Sequence, residues 1–291
     1  MKTQNLDFSK YRFRCSSLGY IMQGVKPVLT AKQTEYLQSM TDRHNNPEAK
    51  PLTEKQLMDY GQLLAKKKAG PQLSQTAKSY LEKIHKEEVF GRRKELQNKY
   101  LDKGIQVEEA AITLYSEVTG QLFIKNKERK ENAYITGECD NAQGRIRDIK
   151  SSWDFTTFPL HATELPDPVY FWQMQGYMQL YKLPVAEVIY CLVDTPELLI
   201  NDELRRLSWK LGYIGDIPEE LEQETRENMI YSDIAPELRI KTFEIKQDPA
   251  AIESLYSQID ICRDYLNSLT VALAEQPKVT AWAIAQLLIT T

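Results

Sequence analysis

The sequence predicts an α/β fold: a helix, a three-stranded antiparallel meander, a second helix and a further strand, with extra helices before and after. Three observations predict it. The run GIQVEEAAITLYSEVTG (104–120) has helical spacing and closes on a glycine, the residue that most easily takes the left-handed conformation ending a helix. Residues 133–150 alternate with the period of two that marks strands. The helical VYFWQMQGYMQLYKL (169–183) is followed directly by the β-rich AEVIYCLVD (186–194).

Taken in order, residues 1–26 hold a short basic and aromatic stretch and then SSLGYIM. From about 29 to 99 the pattern is helical and polar, broken at NNPEAKP and AGPQLS. The mixed-charge run 76–104 reads as a solvated helix face, with a phosphate-tracking face as the alternative. QLFIK (121–125) and the hairpin 133–150 supply the meander, and SSWDFTTFPLHATELPDP (151–168) is a loop. The aromatics Trp153, Phe155 and Phe158 in that loop are expected in the core rather than stacked on bases. Residues 200–291 read as an α/β extension containing the strand RIKTFEIK (239–246) and a helix over about 248–274.

Composition narrows the class. The 291 residues are 42% apolar and 27% charged, enough for a sizeable core, and the net charge of −4 excludes a globally basic nucleic-acid coat. No apolar run approaches a membrane span, and MKTQNLDFSKYRFR has no apolar leader, so no membrane partner and a cytoplasmic location are expected. Cys15, Cys139, Cys191 and Cys262 lie far apart without a CxxC, which argues for buried free thiols over a zinc site or disulfides. His44, His85 and His161 show no metal spacing.

The hairpin carries the chemistry. With Gln143-Gly144-Arg145 as a three-residue loop, Asp140 falls opposite Asp148, and Lys150 shares the face of Asp148. Like charges about 5 Å apart across a strand pair destabilise it. A hard divalent cation such as Mg²⁺ or Mn²⁺ would offset the repulsion; a solvated charged face is the other reading.

Four pieces then fall in order: Gly104 and Glu108 as GxxxE on a helix, Gly137 and Asp140 as GxxD, Asp148 and Lys150 as DxK, and Gln173 and Tyr177 as QxxxY on the next helix. The spacing favours Glu108 over Glu109, and Glu138 is a rim residue or an alternative ligand. This ordered set resembles the PD-(D/E)XK nuclease superfamily, and within it the lambda-exonuclease and RecB-like group of phage-type exonucleases. The resemblance covers about 104–194 well and 11–22 weakly. It implies a restriction-endonuclease-like core over 104–194 within a single nuclease domain spanning 1–291, with 27–99 as a helical elaboration and 200–291 as an extension.

The resemblance implies a Mg²⁺-dependent deoxyribonuclease, with Mn²⁺ substituting, that acts as an exonuclease on duplex DNA ends in phage or prophage recombination. An endonuclease with the same site, or a catalytically silent DNA-binding protein on this fold, are the alternatives. Asp140, Asp148 and the Ile149 carbonyl would hold the metal, and Glu108 would complete its shell or hold a metal-bound water from the helix side. Lys150 would orient the attacking water, Gln173 would position Lys150 or the water, and Tyr177 would pack or touch the backbone. RFRCSSLGYIM resembles the segment by which such enzymes contact a 5′ phosphate, which makes Arg12, Arg14, Ser16 and Ser17 expected DNA contacts, with Ser151 beside the catalytic strand. A single-strand annealing protein and further copies of this chain are the implied protein partners. An iron–sulfur cluster is not expected, since only Cys262 lies near the C-terminus, and GYIMQGVK lacks the ending of an ATP-binding phosphate loop.

Overall fold

Among the described residues, six strands gather into two small sheets. The computed structural model describes residues 6–25, 28–70, 72–93, 99–213 and 217–275. Residues 94–98 of the charged run, and the part of the C-terminal extension beyond 275, lie outside the described residues. The chain divides into two units, one of Met1–Ser9, Tyr20–Val89 and Ser257–Thr291, the other of Lys10–Gly19 and Phe90–Tyr256.

The elements in chain order are β1 (Phe13–Arg14), α1 (Leu18–Met22), α2 (Ala31–Asn45), α3 (Glu54–Ala69), α4 (Gln75–Phe90), α5 (Lys99–Gln106), α6 (Glu108–Thr119), β2 (Lys130–Glu131), β3 (Ile135–Gly137), β4 (Ile146–Ser151), α7 (Pro168–Tyr181), β5 (Val185–Cys191), α8 (Glu197–Leu211), α9 (Glu219–Glu227), β6 (Ile240–Lys246) and α10 (Pro249–Glu275). The α/β class is the expected one. No described helix is long and apolar enough to cross a membrane.

The first unit is helical. Thr30 with Gln33 and Thr53 with Gln56 form capping boxes that satisfy the orphan amides opening α2 and α3. α4 buries Ala77, Leu81 and Ile84, and the later part of α10 buries Ile259, Cys262 and Leu266. His85 on α4 is hydrogen-bonded to Thr270, a structural partnership.

The second unit holds both sheets. One has the order β1-β3-β2, with β1 parallel and β2 antiparallel to β3. The other has the order β4-β5-β6, with β4 parallel and β6 antiparallel to the central β5. Val188, Ile189 and Cys191 of β5 are fully buried, as befits a strand covered on both faces. Ile189 and Cys191 pack with Val107, Ala111, Leu114 and Tyr115 of the α5–α6 segment and with Phe123. α7 buries nearly all of its circumference against β3, β4 and β5.

Within the class, the meander differs from expectation. β3 and β4 meet only through the Asn141↔Arg147 bridge, and 121–125 forms no ladder. That bridge has the expected register, placing Asp140 opposite Asp148, and Gly144 takes φ +72° in the turn. In an unbroken ladder the Ile149 amide would next meet the Cys139 carbonyl. Instead the Asp140 carboxylate takes the Ile149 N–H at 2.8 Å, and the Asn126 side chain donates to the Cys139 carbonyl at 3.1 Å. A side chain has replaced a rung, and β4 turns its other edge to β5.

The expected helix 104–120 breaks at Val107, whose ψ of 7° separates α5 from α6, and it ends as expected on Gly120 at φ 65°. Asp167 caps α7 by accepting the Val169 amide at 2.9 Å. All four cysteines are buried free thiols.

Candidate active site

Asp148 lies on the buried face of β4 and is 3% exposed. Its Oδ1 accepts from Gln173 Nε2 at 3.3 Å, and the same amide nitrogen lies 3.2 Å from the Tyr177 hydroxyl. Its Oδ2 is fully buried with no partner in hydrogen-bond geometry, although Lys150 Nζ sits 2.6 Å away as an ion pair. The period of two puts Asp148 and Lys150 on one face, and the spacing of four puts Gln173 and Tyr177 on one stripe of α7 facing it.

Charges are strongly perturbed here. Burial, and then the Asp148 charge, push the Asp140 carboxyl up to about 7, while its bond from the Ile149 amide works the other way. Burial alone would lower the Lys150 ammonium, but Asp148 and Tyr170 outweigh it and its pKa is raised, so the lysine stays charged. Lys150 Nζ also lies 4.6 Å from the centre of the Tyr170 ring. Burial and the Asp148 charge hold the Tyr177 hydroxyl far above the ordinary phenol range, so it stays protonated.

Glu108 opens α6 and contributes to the field at Asp140, but its carboxylate is held by Lys125 at 2.7 Å. Glu109 is exposed, and Glu138 pairs with Arg129 at 3.5 Å. Among the described residues, no three His, Cys, Asp or Glu side chains converge into a metal cage. Two opposed aspartates, one with a buried oxygen held only by the Lys150 ion pair, nevertheless fit a hard cation of the Mg²⁺ type. Such an ion keeps several waters and takes one or two carboxylates from the protein. The donor set does not suit zinc, which wants three or four nitrogen and sulfur ligands.

The expected DNA contacts are placed as follows. Arg14 is exposed and precedes a 3₁₀ turn, Cys15–Ser17, in which Ser16 is exposed and Ser17 half-buried. Arg12 is exposed and paired with Glu131 at 2.9 Å. Ser151 ends β4, half-buried and in register with Cys191. The turn is pressed against the site: a Cβ on Gly137 would lie 2.7 Å from Tyr177 Cε1 and 2.8 Å from Cys15 Sγ, and one on Gly176 would lie 2.9 Å from that sulfur. Two glycines thus let Cys15 seat beside Tyr177.

The structure brings together Asp140, Asp148, Lys150, Gln173 and Tyr177, with Glu108 at their margin. Two residues escaped the motifs. Tyr170 lies three residues before Gln173 on the same stripe of α7, a spacing that could have flagged it. Lys125 ends QLFIK and carries no spacing signal. Of the loop aromatics, Phe158 is buried with Leu192 and Tyr231, and Trp153 packs against Ile200, Leu204 and Met229, as expected. Phe155 is 53% exposed and does not join the core. Behind Trp153, the buried Lys103 ammonium donates to the Trp153 carbonyl at 2.7 Å.

No protein-family model matches the chain, and no curated protein matches it. Among solved structures, the chain is similar to a phage-related exonuclease from Haemophilus somnus 129PT. The TM-score is 0.61 with 27% identity, over 91% of this chain and 97% of that one. An alkaline exonuclease from Laribacter hongkongensis matches at TM-score 0.49 and 13% identity, over 70% of this chain and 86% of that one. The same exonuclease in complex with dAMP matches at TM-score 0.47 and 15% identity, over 69% and 84%.

Proposed function

We propose that the chain is a phage-type exonuclease of the PD-(D/E)XK nuclease superfamily, a metal-dependent enzyme hydrolysing phosphodiester bonds from the ends of duplex DNA in phage or prophage recombination; its likeness to a phage-related exonuclease supports the reading. The observation that carries the reading is the buried Asp148, opposed by Asp140 and ion-paired to Lys150 on one strand face.

Hydrolysis joins a water oxygen to phosphorus, breaks the bond to the leaving sugar oxygen and returns a proton to that oxygen. A bound Mg²⁺, held by Asp140 and Asp148, would supply Lewis-acid polarisation of the phosphate and a lowered pKa for water. Lys150, kept charged by Asp148, places a fixed positive charge where the phosphoryl oxygens gain negative charge. Gln173 orients Asp148 by donating to Oδ1 and is itself set against the Tyr177 hydroxyl. The Ile149 amide fixes Asp140. Arg14, Ser16 and Ser17, on the turn seated by Cys15, would meet a terminal phosphate.

The test is linear duplex DNA labelled differently at its 5′ and 3′ ends, incubated with Mg²⁺, with EDTA, and with the Asp148→Asn variant. Mg²⁺-dependent nucleotide release from one end, lost in the variant, is the expected result. Cleavage of closed circular DNA would replace the exonuclease by an endonuclease. Binding of DNA without hydrolysis in Mg²⁺ or Mn²⁺ would overturn the catalytic assignment.

A further inference from the structure

Lys125 belongs to none of the four motif pieces, yet the backbone pins it to the edge of the acidic pair. Asn141 Nδ2 donates to the Ile124 carbonyl at 2.8 Å, and the Asn126 amide donates to the Asp140 carbonyl at 2.7 Å. The residue between them is bracketed on both sides by the hairpin that carries Asp140. From that anchored position its ammonium reaches Glu108 Oε2 at 2.7 Å, and its charge bears on Asp140 and Glu109 as well.

A cation is therefore already seated on the third carboxylate of the site. This accounts for the absence, among the described residues, of three converging carboxylates. An ammonium and a divalent ion compete for the same oxygens, because each is stabilised by the negative charge that the other neutralises. The two side chains are 41% and 33% exposed, so water solvates both when they separate, and the pair opens at small cost.

We propose that Lys125 is a positioning residue that holds Glu108 back from the two aspartates, so that Glu108 joins a bound divalent ion only as the Lys125–Glu108 pair opens. The proposal rests on the metal-dependent reading above. Pairing and metal binding are then linked, and removing either one strengthens the other. The device eases the site without metal, since the lysine partly offsets the Glu108 charge that bears on Asp140.

The test is titration calorimetry of the full chain with Mn²⁺ alone, without DNA, for the wild type, Lys125→Gln, Lys125→Arg, Glu108→Gln and the double variant Glu108→Gln/Lys125→Gln. Lys125→Gln is expected to bind Mn²⁺ on the order of fivefold more tightly. Lys125→Arg keeps the cation and should stay near wild type. In the Glu108→Gln background the gain from Lys125→Gln should disappear. Unchanged or weaker Mn²⁺ binding by Lys125→Gln overturns the proposal. So does an equal gain without Glu108, which would mean that Lys125 repels the ion by charge alone. A wild type that binds no Mn²⁺ brings down the metal-dependent reading together with this one, whereas normal wild-type binding with a silent Lys125→Gln removes this one only.

Discussion

The Asp140 carboxylate accepts the Ile149 amide at 2.8 Å, so the residue facing Asp148 is also the one that interrupts the β3–β4 pairing. The bond fixes one acid while the neighbouring charge destabilises it. Asp140→Asn keeps an oxygen that can accept the amide and removes the repulsion. The metal-free variant should melt about 2–4 °C higher than wild type at pH 8, corresponding to roughly 1 kcal/mol. Its nuclease activity should fall at least about a hundredfold. Scanning calorimetry in EDTA checks the first figure and end-labelled DNA the second; a variant that melts lower would show that the charge is already compensated.

Lys150 is paired with the one buried oxygen of Asp148 that lacks a hydrogen bond. Lys150→Gln should lower kcat by about 10²–10³-fold, the scale of losing one preorganised charge at the transition state, with Mn²⁺ affinity not reduced. Parallel kinetics and calorimetry separate the two effects. Lost Mn²⁺ binding would make the lysine a scaffold for the metal site instead.

Gln173 and Tyr177 act in series on Asp148. Gln173→Ala should cost about 10–100-fold in kcat, the range for a group that orients a ligand. Tyr177→Phe should cost much less, because Gln173 retains Asp148. An equal loss in the two variants would place the hydroxyl in direct contact with substrate.

Gly137 and Gly176 leave no room for a methyl group beside Cys15. Gly137→Ala or Gly176→Ala should each destabilise by about 1–3 kcal/mol in urea unfolding. Cys15→Ala should recover only part of this, since Tyr177 also crowds a Cβ at 137 and Leu18 crowds one at 176. Full recovery would mean that the sulfur alone sets the spacing.

Burial lowers the Lys103 ammonium from 10.5 to about 8, with Asp154 and Asp194 working against it. Between those values the unfolded chain holds a proton that the folded one has released. Stability therefore rises with pH across the window from about 8 to 10.5. The melting temperature of wild type minus that of Lys103→Met should climb from pH 8 to 10, and a flat difference would contradict the shift.

The acidic hairpin was legible because a short turn fixes register. The loop Gln143–Arg145 alone places Asp140 opposite Asp148, and alternation puts Lys150 on the face of Asp148. α7 was equally legible, since Gln173 and Tyr177 recur at a helical spacing. The pairing of β4 was not. Its neighbour β5 is buried on both faces, and such a strand carries no pattern that names its partner, so the parallel β4–β5 pairing emerged only in three dimensions. The broken β3–β4 ladder depends on a carboxylate capturing an amide, a choice made by geometry rather than by propensity. Lys125 was hidden for the same reason, because its partner Glu108 lies on a different element.

The burial of the four thiols also makes the molecule ready for single-site labelling. Burial raises all four thiol pKa values, to about 12 for Cys139, Cys191 and Cys262, so little of the nucleophilic thiolate forms at neutral pH. A cysteine introduced at Trp209, which is 86% exposed, would then take up a maleimide dye ahead of the native four. The protein could be followed by fluorescence on a DNA end without first stripping out its own sulfur.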